Sequence, residues 1–213
     1  MSNKTTQTSH NCSPAGPIWP KQSEGQTDQE VAKHCGAVPE DGAVATARPA
    51  VPVEDPVLQI PVGAEPLRML FVCTGNTCRS PMAEGLCTLV AHRLGVVIQP
   101  TSAGISATDG SIPSLHAVAV MREMGIDISN HRSRKLKAEI AQAVDLVLAM
   151  TPKQAEQARA IVGTTVRVQT LGEYAGVREA VGDPFGGTVE RYRRTAEQIH
   201  RLLMEALSRG GVK

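Results

Sequence analysis

Residues 67–81 constrain this chain more than any other stretch. An apolar run, Leu67-Arg68-Met69-Leu70-Phe71-Val72-Cys73, passes without a break into Thr74-Gly75-Asn76-Thr77-Cys78-Arg79 and then Ser80-Pro81. The apolar run reads as a short buried strand. Pro81 suits the first position of a helix, with Ser80 before it as a candidate N-cap. Met82, Leu86, Leu89 or Val90, and Leu94 then recur at helical spacing, and Gly95 ends the helix. A buried strand joined to a helix by so few residues is the opening unit of a parallel α/β sheet.

The alternation continues downstream. Val96–Ile98 extends as a strand into Thr101-Ser102-Ala103-Gly104, Pro113–Met124 reads as a helix, and Lys135–Ala143 as a short one. Residues 145–150 read as a strand and 151–162 as a helix capped by Thr151 with Pro152 at its first position. Residues 165–170 form the fourth expected strand, 171–187 a loop, and 188–209 a last helix with Tyr192, Ala196, Ile199, Leu203 and Leu207 on one face. Strands alternating with helices imply a parallel sheet with helices on both faces. Ligands of such sheets bind at the carboxyl ends of the strands, where the loop after Cys73 emerges.

Upstream the character differs. Residues 1–66 hold nine of the fourteen prolines, four Lys/Arg and eight Asp/Glu, so this segment carries about −4 while residues 67–213 carry about +5. A proline-rich, apolar-poor segment cannot bury enough surface to offset the entropy of ordering. The expected organisation is therefore a disordered proline-rich tail over 1–66 and one domain over 67–213.

Several function classes fall away on composition. A net charge of +1 makes no case for nucleic acid or an anionic membrane. No run of 18 apolar residues predicts a membrane span, and the first 30 residues contain no apolar signal core. Five cysteines at irregular spacing suit neither a disulfide framework nor a zinc site, which points to a reduced, cytoplasmic setting. No metal-ligand constellation stands out, and no cofactor is expected. Nothing in the sequence speaks to the oligomeric state.

The 73–79 loop carries the chemistry. Five residues separate Cys73 from Arg79. A loop this short can wrap its N–H groups around one tetrahedral anion. Gly75 and Asn76 are the residue types that best tolerate positive φ. A nest of N–H groups and a helix N-terminus both favour negative charge. Arg79 can grip two phosphate oxygens with its planar fork. The same positive field favours the thiolate of Cys73, the nucleophilic form, and Ser80 can donate to it. Lysine is absent from the loop, and the nucleotide-binding pattern G-x4-G-K-[ST] does not occur there.

Val72 to Glu84 resembles the signature loop of the low-molecular-weight protein phosphatases. The similarity extends through Thr101–Gly104, His131-Arg132-Ser133-Arg134, Asp145–Thr151 and Asp183-Pro184-Phe185-Gly186-Gly187. It leaves residues 1–66 uncovered. The resemblance implies a four-stranded parallel sheet flanked by helices and a protein phosphatase acting through a phosphocysteine at Cys73 on phosphorylated protein substrates. Arg79 would hold the phosphoryl group, and Thr74, Gly75, Asn76, Thr77, Cys78, Ser80 and Phe185 would line the substrate site. It places the general acid at Asp183, whose backbone the following proline restricts, and gives Ser102 and His131 the task of supporting Asn76. Cys78 could form a disulfide with Cys73 on oxidation, or simply pack. Arg132, Arg134, Lys135 and Lys137 form a basic run that reads equally as a solvated helix start.

Tyrosine phosphatases of this family usually carry an aliphatic β-branched residue at the position of Thr77 and aromatic residues after the Asp-Pro pair. Here the loop has Thr77, and Phe185-Gly186-Gly187 follows the pair. That combination resembles the protein-arginine phosphatase branch, which makes phosphoarginine the expected substrate and phosphotyrosine the alternative. Arsenate reductase shares the fold but needs cysteines well beyond the anion loop, and no cysteine follows Cys87. A non-catalytic anion-binding module would not need Cys73 and Asp183 together, and this chain has both.

Overall fold

The computed structural model describes residues 65–209. Except for Glu65 and Pro66, the expected tail lies outside the described residues, as do Cys12 and Cys35. The order of elements is β1 (Leu67–Cys73), α1 (Arg79–Leu94), β2 (Ile98–Gly104), α2 (Leu115–Glu123), α3 (Ala138–Gln142), β3 (Leu146–Ala149), α4 (Pro152–Val162), β4 (Arg167–Thr170), α5 (Leu171–Tyr174) and α6 (Val189–Arg209).

The four strands form one parallel sheet in the order β2-β1-β3-β4. Side chains of β1 alternate between the faces, and so does the core. Met69, Phe71 and Cys73 pack with Met82, Leu86, Val90, Met121, Ile199 and Leu203 of α1, α2 and α6. Leu70 and Val72 pack with Ala141, Ala155, Ala158 and Val162 of α3 and α4. All five predicted residues of the α6 face are buried. β1 pairs on one side with β2, reached through α1, and on the other with β3, so the chain reverses its direction across the sheet at β1. This is the switch point at which such sheets bind ligands, and Cys73 stands at the carboxyl end of that strand.

Several boundaries differ from the expected ones, each for a visible reason. α1 begins at Arg79, and its N-cap is Cys78 with no side-chain cap bond. Ser80 does not cap, because its hydroxyl is engaged inside the loop. Pro81 is therefore the third helical residue, still within the turn whose N–H groups have no helical partner. β2 starts at Ile98 and runs unbroken, with Pro100 opposite Met69, which is permitted because β2 is an edge strand. α2 starts two residues later than expected, after Ser114. α3 is only Ala138–Gln142, because Lys135 bridges to Gly104 and Leu136 N donates to Gly104 O at 2.7 Å. β3 and β4 are each two residues shorter than expected, four residues apiece and paired with each other along their whole length. The expected 171–187 loop opens with the short helix α5, whose Thr170 and Glu173 form a capping box. The Thr-x-x-Glu signature for it is visible in the sequence. Thr151 caps α4 as expected, accepting from Gln154 N at 3.3 Å.

Candidate active site

The loop after β1 closes on its own first residue. Asn76 N–H donates to Cys73 Sγ at 3.3 Å, and Ser80 Oγ lies 3.0 Å from the same sulfur. Asn76 has φ 54, the one positive value at a non-glycine residue among those described. Asparagine tolerates this conformation better than most residues do, and the surroundings hold it there. Asn76 Nδ2 donates to Ser80 Oγ and to Ser102 Oγ, both at 2.9 Å. Its Oδ1 accepts from Arg134 N at 2.9 Å, and its carbonyl accepts from His131 Nε2 at 2.9 Å. The side chain is wholly buried. Ser102 and His131 thus both reach Asn76, from β2 and from the loop before α3.

Residues beyond the expected set complete this network. Ser102 Oγ donates to Glu84 Oε2 at 2.6 Å, which turns its lone pairs toward Asn76. Arg134 adds a bond from Nε to Ser102 O at 2.8 Å. Gly104 closes the floor. A Cβ there would stand 2.7 Å from Thr74 O and 2.9 Å from Asn76 N, so only glycine lets β2 approach the loop this closely.

Arg79, at the first position of α1, points away from this network toward the loop before α6. Its Nη1 donates to Val181 O at 3.5 Å and its Nη2 to Asp183 Oδ2 at 2.6 Å. The arginine side chain is 5% exposed and the aspartate 52%. Arg79 Nε is buried without a protein partner. An unpaired buried donor is costly, and here it belongs to the residue best suited to hold an oxyanion. The second oxygen of Asp183 accepts from Phe185 N at 3.2 Å, which fixes the carboxylate over the mouth. The ring of Phe185 is 77% exposed.

The rest of the loop divides between the mouth and the core. Thr74 is exposed, Gly75 and Thr77 are half-buried, and Cys78 is buried. Gln154 Nε2, from α4, donates to Thr74 Oγ1 at 2.9 Å. Thr77 O accepts from Ser114 N at 2.8 Å. Cys78 Sγ lies 3.3 Å from Tyr192 OH, and Ser114 Oγ donates to that hydroxyl at 3.0 Å. Burial, followed by its bond to Cys78, pushes the Tyr192 phenol up to about 12. Cys73, Cys78 and Cys87 are free thiols, and burial raises Cys87 to about 12. Within the basic run, Arg132 bonds only to the carbonyls of Ser129 and His131, and Arg134 turns to Ser102.

The assembled site holds a thiol against Asn76 N–H and Ser80 Oγ, a guanidinium hydrogen-bonded to a half-exposed carboxylate, and an uncapped helix N-terminus with no acidic residue in its first turn. Such an arrangement can bind a tetrahedral dianion, attack it with sulfur and supply a proton to a leaving group. Among the described residues there is no His/Cys/Asp/Glu group able to hold a metal ion and no helix long and apolar enough to cross a membrane.

Comparison with known proteins agrees with this geometry. The family profile described as Low molecular weight phosphotyrosine protein phosphatase matches residues 68–210. The protein-arginine-phosphatase of Bacillus subtilis (strain 168) is 40% identical over 139 residues, covering 64% of this chain and 92% of its own length. The low molecular weight protein-tyrosine-phosphatase PtpB of Staphylococcus haemolyticus is 34% identical over 137 residues, covering 64% and 95%. A solved structure of a YwlE arginine phosphatase mutant with a phosphorylated active-site serine superposes with a TM-score of 0.64 at 38% identity, over 67% of this chain and 94% of that one. With the profile spanning the whole sheet, its helices and both ends of the site, the chain belongs to the low molecular weight phosphotyrosine protein phosphatase family.

Proposed function

We propose that this protein phosphatase removes the phosphoryl group from phosphoarginine in protein substrates, through a phosphocysteine at Cys73. In the first step Cys73 Sγ attacks phosphorus, the P–N bond breaks, and Asp183 gives its proton to the departing guanidino nitrogen. In the second step water attacks phosphorus, the S–P bond breaks, and Asp183 takes a proton from the water. Loop amides, Arg79 Nη2 and Arg79 Nε hold the equatorial oxygens in both steps. Bound phosphoryl oxygens compete with Asp183 for Arg79, which frees the carboxylate for the leaving group.

The observation that carries the arginine reading is Thr77, a half-buried residue on the loop around the thiol. Its hydroxyl can accept from a guanidino N–H, which an aliphatic side chain at that position cannot. The names of the Bacillus subtilis relative and the YwlE structure lend support. A tyrosine reading draws on the exposed ring of Phe185 beside Asp183, which could stack on a phenyl group.

Steady-state kinetics on phosphoarginine and phosphotyrosine peptides separates the two. The wild-type protein should prefer phosphoarginine. Thr77→Ile should lower kcat/KM for phosphoarginine by roughly 5- to 150-fold, the effect of one lost hydrogen bond plus steric misfit, and raise it for phosphotyrosine. An unchanged ratio in that variant sinks the role of Thr77, and a wild-type preference for phosphotyrosine sinks the arginine reading.

A further inference from the structure

Gln154 is only 6% exposed, yet its side chain is incompletely satisfied. Nε2 donates to Thr74 Oγ1 at 2.9 Å, across 80 residues of sequence, while Oε1 is buried with no partner. A buried acceptor without a donor is destabilising. Methionine would fill the same volume at the third position of α4 without that penalty. A glutamine kept there under such a penalty, with its other end on an exposed residue next to the nucleophile, answers to the site rather than to the core.

We infer that Gln154 is a positioning residue that fixes the Thr74 hydroxyl for the guanidino leaving group. This deepens the phosphoarginine reading and rests on it. A threonine hydroxyl has one hydrogen and two lone pairs. Gln154 occupies one lone pair, so the rotor stops and one O–H and one lone pair remain, both in set directions. At a P–N bond these are the two functions needed. The lone pair accepts from a guanidino N–H, and the O–H donates to a phosphoryl oxygen. An aryl ester offers the second contact but has no N–H for the first. Thr74 and Thr77 then stand as two hydroxyls on one loop, with only Thr74 held from outside the loop by a buried amide.

The test is a double-mutant cycle of Gln154→Met and Thr74→Val, read as the ratio of kcat/KM for a phosphoarginine peptide to kcat/KM for p-nitrophenyl phosphate. Each single variant should lower the ratio by roughly 3- to 10-fold, the range for one neutral hydrogen bond. The double variant should go no lower than the worse single, because both remove one device. Thr74→Ser, which keeps the hydroxyl, should hold the ratio near wild type. The melting temperature of Gln154→Met should equal or exceed that of wild type. Should Gln154→Met fail to fold, Gln154→Glu serves instead: it can only accept, so it reorients the Thr74 hydroxyl and should also lower the ratio. Equal losses on both substrates, or single effects that multiply in the double variant, would overturn the inference while leaving phosphoarginine as substrate. A wild-type protein inactive on phosphoarginine would overturn both.

Discussion

Asn76 joins conformation and hydrogen bonding at one residue, and two substitutions can pull these apart. In Asn76→Ala the loop must either keep φ near 54 or relax. Keeping it costs about 1–2 kcal/mol for a residue with a Cβ and no local polar group. Arg134 N loses its acceptor, a further cost of about 1–2 kcal/mol for a half-buried donor. Ser102 and Ser80 lose a donor each but keep other neighbours, Glu84 and the carbonyl of Ala103, so they add little. The total is about 2–4 kcal/mol, to be read as a lower urea midpoint at unchanged m. Relaxation would instead withdraw the Asn76 N–H from Cys73 Sγ, and removing one donor of this kind costs about 100- to 1,000-fold in kcat. Asn76→Gly loses the same side-chain bonds but not the conformation. It should recover at least about tenfold of the kcat lost in alanine, because the amide stays aimed at the sulfur. Equal kcat in the two variants would show that positive φ is not what the loop depends on. Wild-type kcat in both would show that the side-chain network to Ser80, Ser102 and Arg134 does not support catalysis.

Arg79→Lys should reduce kcat by about 100-fold or more and weaken inhibition by phosphate, because a point charge replaces a planar fork that bonds Val181 O and Asp183 and keeps a buried Nε unpaired; a variant within a few-fold of wild type would refute the clamp. Asp183→Asn should slow poor leaving groups by roughly 100- to 10,000-fold and activated aryl phosphates less; a small, equal effect on all substrates would make Asp183 only a turn residue. His200 on α6 is 8% exposed, and burial, with a smaller push from Arg93, lowers it from 6.5 to about 4. The folded state therefore binds fewer protons than the unfolded state between these values. Stability from this group is present above pH 6.5 and is lost as pH falls toward 4, on the order of 3 kcal/mol in all. His200→Leu should flatten urea stability against pH in that window; an unchanged slope would show that another group sets it.

Local features of this site were legible because they are matters of spacing. Cys73, Arg79 and Pro81 lie within nine residues, so a strand, a loop and a helix start could be read together. Periodicity found α6 and its buried face. The misses share a different cause. Glu84, Gln154, Tyr192 and the Val181 carbonyl act through contacts that cross 18 to 114 residues of sequence. Tyr192 fitted an apolar stripe, and nothing in that stripe marks a phenol that ends beside Cys78. Ser80 looked like a cap because Ser before Pro commonly is one. Its hydroxyl was instead claimed by Cys73 and Asn76, a competition that only the folded loop reveals. The α5 helix was legible in its Thr-x-x-Glu signature but lay inside a stretch read as one loop.

The irregular features of the site persist because the core grips them. Cys73, Asn76, Cys78, Arg79 and Ser80 are all buried, and Cys73 and Cys78 belong to the same apolar cluster as Met82 and Tyr192. A positive φ at Asn76, an unpaired Arg79 Nε and an unpaired Gln154 Oε1 would each relax in a loose surface loop. Here β2 presses from below at Gly104, α6 from the side through Tyr192, and α4 from the opposite face of the sheet through Gln154. Three elements that reach the loop at the switch point of the sheet over-determine the five residues between Cys73 and Arg79, and strain survives only where structure is over-determined in this way. The variants rank accordingly. Changes that release the loop, as at Asn76, should lower stability and activity together. Changes that remove an orphaned polar atom outside the loop, as in Gln154→Met, should separate them, because the core loses a defect while the mouth loses its alignment.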